Sequence, residues 1–291
     1  MTTREQAMIP AEQAMIPAAT AVTATAATGT SPATATTGSP PPARGQRLRP
    51  TQPRPLLEPA DDDRRGREEK GTLVTAKGIR ASGKDANEQA RVLWDRYAPG
   101  YDQHIRVSER LLFPDGRSWA CAQASGNVLE VAVGTGLNLP YYPAGITLAG
   151  IDLSPVMLAA ARDRARSLGL DADLREASAD ALPFAAGSFD TVVCTISLCN
   201  IPDDRAAIGE MYRVLRSGGR LVLLDHVASD RRWVLAVERL LEPLFLRMNG
   251  DYLTRRPLPL VRAAGFAITG SQRSKAGIIE RLTAVKPLSG S

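Results

Sequence analysis

The chain has 291 residues, of which 44% are apolar and 23% charged, and a formal net charge of +5. All fourteen aromatic residues lie at or after Trp94, and residues 1–84 hold 12 Lys or Arg against 8 Asp or Glu, while the remainder holds 24 against 23. The basic excess therefore belongs to a segment with no aromatics, and a near-neutral remainder does not suit a domain that grips a phosphate backbone.

Residues 1–84 open with a tandem heptapeptide, Glu5–Ala11 and Glu12–Ala18, followed by a stretch of mostly Ala and Thr and a Pro/Arg run. Such a segment has too little apolar surface to offset the entropy of ordering it. It is expected to be a disordered low-complexity tail, with residues 85–291 forming one domain. Cys121, Cys194 and Cys199 are widely spaced and His104 and His226 are the two histidines, so neither a disulfide framework nor a metal site is expected. No run of about 18 apolar residues is present, and the start of the chain is not Leu-rich, which points to a soluble cytoplasmic protein.

From Asp85 onward, helical spacing covers Glu88–Tyr97 and Ser108–Ala124, the second broken near Pro114. Strands and helices then alternate. Strands are expected at Asn127–Val133, Thr147–Ile151, Asp173–Ala177, Asp190–Ile196 and Arg220–Val227. Helices are expected at Pro155–Leu168, capped by Ser154, and at Arg205–Leu215, Trp233–Met248 and Arg255–Ala264. Two last strands, Ala267–Ser274 and Ile278–Val285, form a hairpin. Near-continuous apolar strands between helices predict a doubly wound α/β fold, with a mostly parallel sheet and an antiparallel edge hairpin.

The first strand runs into Gly134-Thr135-Gly136, where glycines let a ligand approach the backbone and a following helix N-terminus would favour an anion. Asp152 ends the next strand, sixteen residues after Gly136, and a carboxylate there can accept both hydroxyls of a ribose. Leu139 stands where a dinucleotide fingerprint needs its third glycine, so the expected ligand is a single nucleoside and a reductase is disfavoured.

These residues resemble the successive motifs of class I S-adenosylmethionine-dependent methyltransferases. The resemblance rests on Glu130-x-Ala132-x-Gly134-x-Gly136, Asp152, Ala179-Asp180-Ala181-Leu182-Pro183-Phe184, Phe189-Asp190-Thr191-Val192-Val193 and Leu215-Arg216-Ser217-Gly218-Gly219. It covers roughly Tyr97 to Lys286 and implies a seven-stranded Rossmann-like sheet. It departs from the family pattern at Ala132, where glycine is more usual. The resemblance implies S-adenosyl-L-methionine as methyl donor and no metal. Gly134, Thr135 and Gly136 would line the methionine end, with Glu130 supporting the turn. Asp152 would hold the ribose, Leu153 or Met157 would pack one face of adenine, and Asp180 and the Ala181 amide would meet its edge.

The acceptor side is expected after the fourth and fifth strands, at Ser197-Leu198-Cys199-Asn200-Ile201-Pro202 and Asp225-His226-Val227. Tyr97 and Tyr101 lie in a segment resembling the lid of quinone-biosynthesis and phosphatidylethanolamine methyltransferases. Tyr97, Tyr101, Ser197 and Asn200 are thus the candidate substrate contacts. Gly250-Asp251-Tyr252-Leu253-Thr254-Arg255 resembles a branch of thiol and lipid-associated methyltransferases. His226 is the candidate acid–base residue, with a structural histidine as the alternative. The expected acceptor is a hydrophobic small molecule or lipid-like compound. A nucleic-acid methyltransferase, which would want stacking aromatics near Asn200, and a non-catalytic cofactor-binding protein are the alternatives. Trp233–Met248, flanked by arginines, reads as a lid over a core helix or as a face for peripheral membrane contact.

Overall fold

The computed structural model describes residues 83–288. The expected tail, residues 1–84, lies outside the described residues except for Gly83 and Lys84, which begin the first helix, α1 (Gly83–Tyr97). Two helices follow, α2 (Tyr101–Leu112) and α3 (Gly116–Cys121). They correspond to the single interrupted helix expected from sequence. Between them Asp115 sits in the left-handed region (φ 56°), and Pro114 lacks the amide a continuous helix would need.

Seven strands form one sheet: β1 (Asn127–Val131), β2 (Thr147–Asp152), β3 (Ala172–Glu176), β4 (Phe189–Thr195), β5 (Leu215–His226), β6 (Ala267–Ser274) and β7 (Ile279–Val285). Their order is β3-β2-β1-β4-β5-β7-β6. The first five are mutually parallel, and β7 pairs antiparallel with both β5 and β6. The expected edge hairpin is present, with its second strand placed inside the sheet. The chain runs outward from β1 through β2 to β3 and then returns beside β1 as β4, so β1 and β4 flank a point where strand order reverses. Such a point opens a crevice at the carboxyl ends of the strands.

Strand alternation divides the core between the two sheet faces. Leu129, Val131, Val192 and Cys194 pack toward α5 (Asp204–Val214) and α7 (Pro257–Ala263) through Ile208, Met211 and Val261. Val128, Val193 and Val222 pack toward α3 and α4 (Pro155–Ser167) through Ala120, Leu158 and Ala161. Ser154 caps α4 as expected, its hydroxyl accepting the amide of Met157 at 3.1 Å. α6 (Arg232–Met248) lies between β5 and α7 in sequence. The helix expected from Arg255 starts instead at Pro257, since proline suits the first helical position and lacks an amide.

The segment between β1 and β2 carries a correction. Sequence led us to expect a helix after the glycine turn, but this segment contains one short 3-10 turn, Leu139–Tyr141. Pro140 and Pro143, with Gly145 beyond them, deny the amides a longer helix would use. The turn therefore has no helix terminus to stabilise an anion, contrary to the expectation from sequence. Among the described residues, no helix is long and apolar enough to cross a membrane. Nor does any group of three or more His, Cys, Asp or Glu there hold metal-ligand geometry.

Candidate functional site

A cleft opens at the carboxyl ends of β1, β2 and β4. Its wall begins where β1 stops. Ala132 adopts φ 57° and Gly134 φ 57°, so the backbone coils away from the strand. A side chain at φ > 0 is costly, which is why glycine would be the easier residue at position 132. Gly134 and Thr135 line the cleft, whereas Gly136 does not. A Cβ on Gly136 would lie 2.7 Å from Leu139 Cδ1 and 3.2 Å from the Cα of Ala161 in α4. Gly136 thus serves close packing of turn against helix.

Asp152, the last residue of β2, is buried and faces this turn. Its Oδ2 accepts the amide of Gly134 at 2.8 Å and its Oδ1 accepts the amide of Ser154 at 2.9 Å. Burial raises its pKa to about 6 against the pull of these amides. Each oxygen keeps a free lone pair for a further donor. Leu153 and Met157 line the cleft beside it. Asp180 does not line it directly; Asn87 stands in front, donating to Asp180 Oδ2 at 2.9 Å and to Ser178 Oγ at 3.0 Å. The amide of Ala181 is turned into a local turn, donating to Ser178 O at 3.2 Å.

Glu130 lies beneath the cleft floor. It accepts from Asn138 Nδ2 at 2.8 Å and from the Tyr142 hydroxyl at 3.0 Å, and burial raises its pKa to about 7. Asn138 relays this position upward, donating to Thr195 Oγ1 at 2.8 Å and accepting from Arg117 at 2.9 Å. Arg117 and Thr195 do line the cleft. Both escaped the sequence reading, as did Asn87 and Trp94. Trp94 had a signal in its closeness to Tyr97 and Tyr101, against whose rings it packs at 6.1 and 6.0 Å. Asn87 and Arg117 had none, because they reach the site only through the packing of α1 and α3.

Of the four candidate substrate contacts, Tyr101, Ser197 and Asn200 line the cleft. The Tyr97 hydroxyl is turned away and donates to the carbonyl of Met248 at 2.7 Å. The loop 197–202 is held from below and from the side. Asp225 Oδ2 accepts the amides of Ser197, Leu198 and Cys199 at 3.2, 2.5 and 3.3 Å. Arg255 donates to the carbonyls of Leu198 and Ile201 and, at 3.0 Å, to that of Pro202. Its guanidinium lies over the Tyr252 ring at 3.9 Å, and the Tyr252 amide donates to Cys199 O at 2.9 Å. Asp251 accepts from Asn200 and from Asn249. The Gly250–Arg255 segment is therefore a brace for the loop after β4.

His226 lies outside the cleft lining. Its ring is near Glu238, with Nε2 3.8 Å from Oε1, and its Nδ1 is buried without a hydrogen-bond partner. Burial lowers its pKa to about 4, so the imidazole is neutral at pH 7 and the pair carries no ion-pair attraction there. Cys121, Cys194 and Cys199 are all buried and free of disulfides.

Residues 129–223, which span the strands around the cleft, match a family model described as a methyltransferase domain. The chain is 42% identical over 118 residues to phosphatidylethanolamine N-methyltransferase of Cereibacter sphaeroides, covering 40% of this chain and 58% of that protein. It is 30% identical over 177 residues to the human thiol S-methyltransferase TMT1A, covering 59% of this chain and 72% of the relative. The chain belongs to the S-adenosylmethionine-dependent methyltransferases. It spans less than two thirds of the bacterial relative's length. The fold of this methyltransferase is shared with the crystal structure of the [4+2]-cyclase SpnF at a TM-score of 0.57 and 20% identity, covering 70% of this chain and 97% of that one.

Proposed function

We propose that the protein, through residues 85–291, transfers the methyl group of S-adenosylmethionine to a hydrophobic small-molecule or lipid-like acceptor. The observation that carries this reading is the Asp152 carboxylate, held by two backbone amides in the lining of the cleft beside Leu153 and Met157. A ligand with two vicinal hydroxyls and a flat heterocycle fits that donor–acceptor set, and a pyrophosphate, with no helix terminus at the glycine turn to meet it, does not.

When bound, S-adenosylmethionine supplies an electrophilic methyl carbon on a sulfonium that is its own leaving group. Asp152 accepts the ribose hydroxyls, and Leu153 and Met157 pack the adenine. Asn87, oriented by Asp180 and Ser178, offers the polar edge for its ring, so Asp180 acts through Asn87. Gly134 and Thr135 border the methionine end, with Glu130 setting that wall through Asn138. Tyr101, Ser197 and Asn200 face the acceptor. The chain's main contribution to rate is alignment in a space that excludes water. His226 is away from the cleft and neutral, so it serves this reading as a structural neighbour of Asp225.

Incubation with methyl-labelled S-adenosylmethionine and a fractionated lipid and metabolite extract tests the proposal. Label is expected in an apolar fraction. Label confined to nucleic acid, or calorimetric binding of NAD and not of S-adenosylmethionine, overturns it.

A further inference from the structure

Helix α6 turns both of its carboxylates inward. Glu238 is buried and accepts the amide of Ser229 at 2.9 Å, and Glu242 accepts the amide and the hydroxyl of Thr254 at 2.6 Å each. Its outer face carries Trp233, Val237, Leu240, Leu244 and Met248, spaced four, three, four and four residues apart, which is one stripe of an α-helix. These are large side chains left in water, with Leu240 79% and Trp233 68% exposed. At 3.6 residues per turn, the exposed Arg232, Arg239 and Arg247 fall along one flank of the stripe. No carboxylate of the helix shares that face.

Helix α2 repeats the arrangement in miniature. Asp102 is engaged by Thr135 and Arg164, and Glu109 by Arg117. Val107 and Leu111, 65% and 64% exposed, are left outside with the exposed Arg106 and Arg110. Tyr101 of α2 lines the cleft, and the Tyr97 hydroxyl ties the end of α1 to Met248 of α6.

We propose that the outer faces of α6 and α2 form a docking surface for the anionic face of a lipid bilayer. An apolar stripe edged by arginines, with a tryptophan near one end, can sink its side chains to the acyl boundary while the guanidinium groups meet anionic headgroups. Charge separates this occupant from a second copy of the chain. Antiparallel two-fold pairing of the α6 face would set arginine rows together with no carboxylate of the helix between them, and parallel pairing would leave each row without an acidic partner on α6. The inference is independent of the methyl-transfer reading, and its test measures no turnover.

The full chain is mixed with vesicles of phosphatidylcholine alone or containing phosphatidylglycerol, and binding is read by co-sedimentation and by tryptophan emission. Binding to phosphatidylglycerol vesicles, weakened by salt, is expected, with a blue shift that disappears in Trp233→Phe. Leu240→Glu/Leu244→Glu and Arg239→Glu/Arg247→Glu should each weaken binding by roughly tenfold or more while melting as the parent does. These positions are solvent-exposed, so the variants have no core to disturb. Equal binding by parent and double variants would assign the vesicle affinity to the basic N-terminal segment and overturn the proposal. So would absence of binding, or a parent dimer in light scattering that Leu240→Glu/Leu244→Glu dissociates.

Discussion

The hydroxyl of Thr135, in the glycine turn, donates to Asp102 of α2 at 2.6 Å, and Arg164 of α4 closes the triangle by bonding both Asp102 and the Thr135 carbonyl. Three separate elements are thereby joined over one end of the cleft. Removing the shared carboxylate in Asp102→Ala should loosen α2 without touching the expected ribose contact. Because Asp102 is partly exposed, the loss should be modest, roughly three- to tenfold in S-adenosylmethionine affinity. The change should appear mainly as faster dissociation in stopped-flow measurements. An unchanged dissociation rate would show that α2 does not retain the ligand.

Asp152→Ala should weaken cofactor binding by about 2–3 kcal/mol, or roughly 30- to 150-fold, since in the proposed binding mode two ribose hydroxyls converge on one carboxylate. The variant should also melt earlier without ligand. Its two carboxylate oxygens serve the amides of Gly134 and Ser154, and each amide left unpaired costs about 1–3 kcal/mol. Calorimetry and thermal melting separate the two effects. Parent-like affinity would displace Asp152 from the ribose role.

Buried carboxylates give the ligand-free protein a pH-dependent stability of definite sign. Glu130 has its pKa raised from 4.5 to about 7, so its contribution is full below pH 4.5 and is lost as pH rises through 7. Asp152 and Asp225, raised from 3.8 to about 6, act in the same direction. His226, lowered from 6.5 to about 4, acts oppositely, losing stability as pH falls below 6.5. Raising the pH from 6 to 8 should therefore lower Tm by on the order of 5 °C. Glu130→Gln, which keeps an acceptor for Asn138 and turns an amide donor toward the Tyr142 hydroxyl, should flatten that slope. A parent-like slope in the variant would mean that Glu130 is ionised throughout.

Arg255 fixes three consecutive-loop carbonyls that border the acceptor side, and a lysine ammonium lacks the planar fork to do so. Arg255→Lys should leave S-adenosylmethionine affinity within about twofold while reducing turnover by roughly tenfold or raising the acceptor KM, since it moves Ser197 and Asn200. Equal losses in cofactor binding and turnover would instead indicate general unfolding of the site.

The doubly wound architecture was legible because strand-length apolar runs alternate with capped helices, and local signals such as Ser154-Pro155 act within one turn of chain. The placement of Asp152 in the cleft was legible for a related reason. Asp152 ends a strand adjacent to the glycine turn, so neighbourhood in the sheet follows from order in the chain. What periodicity could not supply was the contribution of α1 and α3. Asn87, Trp94 and Arg117 look like ordinary residues of amphipathic helices until those helices cross the strand ends, and only non-local packing decides where they cross. The same limit explains His226. Its position after β5 suggested the acceptor pocket, but successive residues of a strand point to opposite faces. The tertiary structure gave Asp225 to the loop above β4 and left His226 on the other side, beside Glu238. Sequence thus determined the fold and one wall of the cleft, where causes are local. The opposite wall joins segments from 53 residues apart, as in the Arg255 brace, to 93 apart, as in Asn87 on Asp180, and their meeting is a property of the folded core alone.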